Sequence, residues 1–253
     1  MVIVSNSMPL NMIEGPRKIE EPASPAFAAL LRPTRFDARN VRLYELSNDP
    51  AKLVRENRMQ EGHTLDALEQ SIRDAKAHFE AMSSTYGIHV VSIAIKREKN
   101  NTGDDAVFTV VDKIEGQNLS DIVHVPAEAM EELEALYIAL GTYYYDAWKH
   151  GLQYWGDGRS DQFVYGAKYG EQEKHFYLTD VDPEFYRDGD DQWHTLEAAV
   201  GSVCHDLLES ERKGTPKIRF HKARAVLLDI VTNMLQENPH WSMLVEARGW
   251  LEQ

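Results

Sequence analysis

Two patterns of apolar residues meet in the stretch VVDKIEGQNL, residues 110–119. Before Gly116 apolar residues alternate with polar ones, as at Val91, Ile93 and Ile95, and this period of two is typical of half-buried strands. After Gly116 the apolar residues recur every three or four positions, which is the spacing of one helix face. The sequence therefore predicts an α+β fold, with a small antiparallel sheet before this point and a mainly helical part after it.

The first half predicts the element order β-β-α-β-β. Residues 41–57 predict a hairpin around the turn sequence SNDP. A helix is expected to begin after Thr64, a suitable N-cap, and to end at Gly87. Two longer strands, residues 89–97 and 106–114, are joined by the turn-forming loop NNTGD. These elements predict one antiparallel sheet with a helix packed on it.

The second half predicts helices around one short hairpin. A long helix is expected from Pro126, with acidic residues in its first turn, to Gly151 at its C-terminal end. A hairpin over residues 163–179 follows, and then helices over residues 195–211, 221–237 and 242–251. Residues 1–34 hold five of the ten prolines and predict an extended arm. The predicted organisation is an arm (1–34), a first lobe (35–117) and a second lobe (118–253).

Composition excludes several classes of protein. The 253 residues carry a formal net charge of −14, which argues against a general nucleic-acid binder. The apolar runs are too short to span a bilayer, and neither a secretory signal nor a disulfide framework is expected, since Cys204 is the only cysteine. The ten histidines show no H-E-x-x-H spacing. A cytoplasmic protein that does not associate with membranes is the prediction.

One basic segment, residues 211–224, departs from this acidic balance. It is interpreted either as a patch for phosphate or an acidic protein partner, or as the solvated face at the start of a helix.

Two polar clusters carry the candidate chemistry. The loop WGDGRSDQFV, residues 155–164, places Asp157 where it can accept a proton or a hydrogen bond, with Gln162 five residues on. The second cluster is YLTDVDP, residues 177–183, in which an apolar strand runs into Asp180 and Asp182. In an extended chain these two carboxylates lie on one side, and hard divalent cations prefer such oxygen ligands.

In this order the clusters resemble the protein-kinase-like superfamily, on the side of the aminoglycoside and choline kinase type of small-molecule kinases. The family's catalytic loop has the pattern H-G-D-x-x-x-x-N, and residues 155–157 with Gln162 match its spacing. Asp180 falls where the family has a metal-binding Asp, and residues 110–119 resemble the linker between its lobes. The resemblance covers about residues 41–210 and implies a two-lobed fold with one helix in the small lobe.

The resemblance also implies cofactors and roles. ATP would lie between the lobes, its adenine bonded to the backbone of Asp112, Lys113 and Ile114, while Asp157 would act as the base toward an acceptor hydroxyl. Mg²⁺ would be held on the phosphates by Asp180, with Gln162 and Asp182 as further ligands.

The small-lobe helix carries Glu69, which would pair with Arg55 or Lys52, and Arg55 would neutralise phosphate charge. The acceptor of such a phosphotransferase would be a small molecule or a protein.

Departures from the family pattern keep a second function open. Trp155 replaces the loop His, Gln162 replaces an Asn, and no Gly-rich loop precedes Val41. The alternative is a catalytically inactive, pseudokinase-type scaffold that binds a protein partner.

An Asp-x-Asp at a strand end is also found in glycosyltransferases and haloacid dehalogenases. The antiparallel strands predicted before Asp180 argue against both, because those enzymes build the site on a parallel sheet.

The same residues also have structural interpretations. Asp157 would then cap its loop, and Asp180 and Asp182 would be solvated turn carboxylates before Pro183. Glu69 would be a surface residue of an amphipathic helix.

Overall fold

The structure is a computed structural model that describes residues 26–37, 41–58, 62–181, 186–187, 195–213 and 219–253. The candidate metal ligand Asp182, residues 1–25 of the predicted arm and residues 214–218 of the basic segment lie outside the described residues. None of the helices in these ranges is both long enough and apolar enough to cross a bilayer.

The elements are, in chain order, α1 (Phe27–Leu30), β1 (Leu31–Asp37), β2 (Val41–Leu46), β3 (Asp49–Asn57), α2 (Leu65–Tyr86), β4 (His89–Val90), β5 (Ile93–Lys99), β6 (Asp105–Asp112), β7 (Ile114–Asn118), α3 (Met130–His150), β8 (Tyr154–Trp155), β9 (Phe163–Lys168), β10 (His175–Leu178), β11 (Tyr186–Arg187), α4 (Leu196–Lys213), α5 (His221–Glu237) and α6 (Ser242–Leu251). Short 3-10 turns cover Leu119–Asp121, Ala127–Ala129 and Ser160–Gln162.

The first lobe is a five-stranded sheet in the order β1-β2-β3-β6-β5, and every neighbouring pair is antiparallel. Both predicted hairpins are present. The boundary of the predicted arm is wrong, because residues 31–34 belong to β1, where Leu31 pairs with Leu46 and is buried. Pro33 is tolerated there because β1 is an edge strand and needs no donor on its outer side.

Helix α2 forms as its sequence predicts. The Thr64 side chain accepts a hydrogen bond from the Ala67 backbone N–H at 3.2 Å, and Gly87 ends the helix with φ +72°. The buried stripe consists of Ile72, Ala75, Phe79 and Met82. This stripe presses α2 against β5, β6 and α3, so the helix packs on both lobes.

The strand predicted over residues 89–97 is broken in the middle. β4 leaves the first sheet and pairs in parallel with β10, so that His89 lies opposite Tyr177. The Val91 N–H donates to the Leu178 carbonyl at 3.2 Å, and the Ser92 N–H donates to Asp112 Oδ2 at 3.2 Å. The backbone donors of both residues are thus satisfied outside the β5–β6 ladder, and the chain changes direction between the two sheets.

The second sheet has the order β4-β10-β9-β7 and connects the lobes. The strand predicted over residues 106–114 therefore ends at Asp112, because β7 begins at Ile114 and pairs with β9 rather than with the first sheet. The lobe boundary consequently lies at about Lys113, a few residues before the predicted one. Helices α3 to α6 follow the predicted helical segments closely and complete the second lobe.

One apolar core runs through both lobes. It joins Phe79 of α2 and Val111 of β6 to Tyr144 of α3 and Leu227 of α5, all nearly or fully buried. A smaller cluster, with Tyr44, Val54 and Phe108 at its centre, covers the other face of the first sheet. The predicted α+β fold, with an antiparallel sheet and the long helix α2 before a mainly helical lobe, is confirmed.

A close approach of β7 and β9 requires glycine on both strands. Gly116 pairs with Gly166, and a Cβ on Gly116 would lie 2.2 Å from the Tyr165 carbonyl oxygen. Since the clashing atom is backbone, Gly116→Ala should push the strands apart and lower the free energy of unfolding by about 2–3 kcal/mol. Urea denaturation measures this change. The matched control is Gly249→Ala in α6, where a Cβ meets nothing within 4 Å and the substitution should be neutral or stabilising. Equal stability of Gly116→Ala and wild type would contradict the prediction.

Candidate functional site

The two polar clusters predicted from the sequence lie side by side. The backbone carbonyl of Gln162 accepts hydrogen bonds from the Thr179 N–H at 3.1 Å and from the Thr179 hydroxyl at 3.3 Å. Thr179 directly precedes Asp180, so the loop that carries Asp157 is fastened to the end of β10. The site therefore lies where the second sheet meets the loop after β8.

Asp157 is almost completely buried, with 2% of its surface exposed. Its two carboxylate oxygens accept from Arg159 Nε at 2.5 Å and from Arg159 Nη2 at 2.9 Å. The Gln162 amide nitrogen donates to Oδ2 as well, at 2.9 Å. The hydrogen bond to Asp157 raises the pKa of the Arg159 guanidinium above its ordinary value. The carboxylate that would act as a base is thus closed by a forked ion pair and a buried amide.

The position of the family's loop His is taken by a core side chain. Trp155 is completely buried and packs edge-on against Phe79 of α2 and Phe163 of β9, with ring centroids about 6 Å apart. Its backbone N–H donates to the Tyr143 hydroxyl at 2.5 Å. Within the described residues, the Trp155 indole N–H has no hydrogen-bond partner. This residue anchors the loop on the apolar core and contributes no side-chain polar group to the site.

Arg55 and Asp180 form an ion pair between the lobes. Both Nη atoms of Arg55 on β3 lie 3.0 Å from Asp180 Oδ1. The Arg55 side chain is 10% exposed and the Asp180 side chain 30% exposed. A metal ion that used Oδ1 of Asp180 would have to compete with this guanidinium.

The expected pairing of Glu69 with Arg55 or Lys52 is wrong. Glu69 instead lies 2.5 Å from Arg73, one helical turn further along α2, and 3.7 Å from Arg97 of β5. Lys52 is bound to Asp112 at 2.5 Å. Glu69 therefore lies between α2 and β5, apart from the two polar clusters, where Arg73 and Arg97 supply its cations.

The linker between the lobes is occupied by the protein's own groups. The Lys113 N–H donates to the Ala51 carbonyl at 2.8 Å, and its carbonyl accepts from the Tyr169 N–H at 3.0 Å. Ile114 is paired with Lys168 in the β7–β9 ladder. An adenine ring that bonds to this backbone, as the resemblance implies, would have to share or displace these internal hydrogen bonds.

Asp112 is the charged centre of the linker. Its carboxylate accepts from Lys52 at 2.5 Å and from the Ser92 N–H, and lies 3.2 Å from Lys168 Nζ. Burial alone would raise the pKa of Asp112, but hydrogen bonds from Lys52, Ser92 and Lys168 lower it below the ordinary value. The side chain thus ties β3, the residue before β5 and β9 together.

A cavity of about 500 Å³ opens beside the Asp157 loop. Its lining includes Arg159, Ser160, His205, Asp206, Met243 and Trp250. The Ser160 N–H donates to Asp206 Oδ2 at 2.6 Å, and burial raises the pKa of the Asp206 carboxyl. The role of Asp206 as an anchor of this loop has no signal in the sequence, because Ser160 lies 46 positions earlier and no motif connects the two residues. The Asp-x-Arg spacing of Asp157 and Arg159 was the one available signal for the closed ion pair.

Comparisons with known proteins include a structural likeness. No family model and no curated protein matches the chain. Among solved structures, it is similar to the pseudokinase DRIK1 (drought responsive inactive kinase 1), which was crystallised bound to ENMD-2076. The TM-score is 0.46 at 10% identity, over 90% of this chain and 93% of that chain.

Proposed function

We propose that this protein is a non-catalytic, kinase-like scaffold that acts by binding a partner. The observation that carries the proposal is the state of Asp157, which is buried and bound through both oxygens by Arg159 and Gln162. A general base must reach the proton it removes, within hydrogen-bond distance or through one water. A carboxylate enclosed by a guanidinium of its own loop serves to hold that loop in shape.

Two further contacts support this proposal. The guanidinium of Arg55 is bound to Asp180 Oδ1, one of the two carboxylate oxygens that a metal ion could use, and the backbone N–H and carbonyl of Lys113 are both used internally. Each of the three parts of a phosphoryl-transfer site is therefore engaged within the protein. The base holds its own loop, whereas the metal ligand and the adenine-binding backbone hold the lobes together.

A phosphotransferase that uses Mg-ATP is the second candidate, and one observation favours it. Arg55 and Asp180 lie face to face between the lobes, as a phosphate-binding cation and a metal-binding carboxylate would. Asp180 and Gln162 would then hold Mg²⁺, which would neutralise phosphate charge, once Arg55 had turned from Asp180 to the nucleotide.

Mg-ATP binding separates the two candidates. For the scaffold we expect the same melting temperature with and without millimolar Mg-ATP, and no transfer of labelled phosphate to small-molecule or protein acceptors. A ligand at 100 times its dissociation constant would instead stabilise the fold by about 2.7 kcal/mol. Asp180→Asn is the control for magnesium, and Asp157→Asn is the control for the base. A magnesium-dependent shift lost in Asp180→Asn, with phosphate transfer lost in Asp157→Asn, would overturn the scaffold proposal.

A further inference from the structure

Three elements bring two histidines and a glutamate together at the back of the linker. His89 begins β4, Glu132 lies in the first turn of α3, and His175 begins β10. Because His89 pairs with Tyr177, and residues two apart share one face of a strand, His89 and His175 project from the same side of the second sheet. Glu132 is held at the end of this sheet by the Phe176 N–H, which donates to Oε1 at 3.0 Å.

The three side chains present their donor atoms to one another. Glu132 Oε1 lies 3.2 Å from His175 Nδ1 and 3.8 Å from His89 Nε2. One ligand atom from each residue fits within a group of atoms no more than 4.8 Å apart. Ligands at about 2.0–2.1 Å from a tetrahedral metal ion lie roughly 3.3 Å from each other. Small side-chain rotations would therefore bring the three donors onto one ion.

The carboxylate of Glu173 contacts the outer ring nitrogen of His175. Glu173 Oε1 lies 3.3 Å from His175 Nε2, the ring nitrogen that does not face Glu132. A carboxylate on the far nitrogen of a histidine ligand fixes its tautomer and makes the ligating nitrogen more basic. This second contact gives His175 the surroundings that metal-bound histidines have.

Charge and access also suit a cation. Glu132 and Glu173 place two negative charges at the cluster, whereas Lys168, the positive group that also faces His89, is bound to Asp112 at 3.2 Å. The His89 side chain is 46% exposed, so an ion can enter from solvent and keep a water ligand.

We propose that His89, Glu132 and His175 form a binding site for a divalent transition-metal ion, with Zn²⁺ as the probe. Two imidazoles and one carboxylate suit zinc and its neighbours, whereas Mg²⁺ requires oxygen ligands. The bound ion would join β4, which follows the first-lobe helix, to α3 and β10 of the second lobe. The site does not depend on nucleotide binding, and its ligands lie too far apart in the sequence for a metal motif to reveal them.

Zinc titration of the full chain tests the proposal. Calorimetry should find one zinc ion per chain, a higher melting temperature with Zn²⁺ and no response to Mg²⁺. Co²⁺ at the site should give the visible absorption of a four-coordinate ion. His89→Ala and His175→Ala should each weaken binding by more than about 100-fold, and Glu173→Gln by about 10-fold.

His240→Ala is the matched control, since His240 is exposed, lies outside the cluster and should leave zinc binding unchanged. Because His89 is half-exposed, His89→Ala should keep the metal-free melting temperature and so report on the metal alone. Either of two results would overturn the proposal: absence of zinc binding by the wild type at micromolar concentrations, or equal zinc affinity in His89→Ala, His175→Ala and the wild type.

Discussion

Glu211→Ala is expected to lower the free energy of unfolding by about 3–5 kcal/mol, the largest effect of a single substitution that we predict. Glu211 and Arg224 form a buried ion pair, with side chains 8% and 13% exposed and a shortest distance of 2.6 Å. Glu211 also accepts from the Phe220 N–H at 2.8 Å, and Arg224 donates to the carbonyls of Trp250 and Leu251. Removal of the carboxylate leaves a buried guanidinium without its counter-charge.

The matched control is Glu209→Ala, two residues earlier on the same helix. Glu209 pairs with Arg212 at 2.8 Å, but both side chains are much more exposed, and exposed pairs contribute about 0–1 kcal/mol. Urea denaturation of the two variants separates the effect of the buried pair from a general effect of charge on α4. If Glu211→Ala lost no more stability than Glu209→Ala, the buried pair would not hold α4, α5 and α6 together.

This pair also changes the interpretation of the basic segment, residues 211–224. Arg224 is inside the protein, Arg212 is bound to Glu209, and Lys213 donates to the Ser120 carbonyl at 3.0 Å. Among the described cations of the segment, these three are engaged by the protein's own groups. These contacts reduce the positive charge that a phosphate could reach, and the burial of Arg224 does not fit a solvated helix face either.

Local patterns predicted most of the fold because the elements follow local rules. The stripe of α2 and its caps at Thr64 and Gly87 depend on neighbouring residues alone, and so does the glycine-containing loop between β5 and β6. The break in the strand at Val91 and Ser92 does not follow local rules. It depends on the Leu178 carbonyl and the Asp112 carboxylate, whose proximity arises only when the second sheet has formed.

The candidate site divides in the same way. The spacing of Asp157 and Gln162 and the position of Asp180 identified residues that the structure does bring close together. The sequence could not predict which charged residues form ion pairs with each other. Arg55 pairs with Asp180 instead of Glu69, because several cations and carboxylates lie within reach and tertiary geometry selects among them.

Asp157→Ala is expected to destabilise the fold by about 2–4 kcal/mol, and this is the second large effect. The substitution removes the acceptor of three hydrogen bonds and leaves the amide of Gln162, which is 7% exposed, without its main partner. This expected loss of stability is smaller than that for Glu211→Ala, because the Arg159 side chain is 55% exposed and is hydrated by water once Asp157 is removed. Thermal and urea denaturation measure the loss.

Two companion variants make the Asp157 result specific. Asp161→Ala removes a carboxylate that is 47% exposed and 3.6 Å from Arg159, and it should change stability by less than about 0.5 kcal/mol. A double-mutant cycle of Asp157→Ala with Arg159→Ala should give a coupling energy of about 1–3 kcal/mol, because the two groups form one ion pair.

A phosphotransferase that uses Asp157 as its base would respond differently to Asp157→Ala. It would lose phosphate transfer and keep or gain stability, since a carboxylate positioned for catalysis commonly lowers the stability of the fold. Stability and transfer measured on the same variants thus show whether Asp157 holds its loop or acts on a substrate.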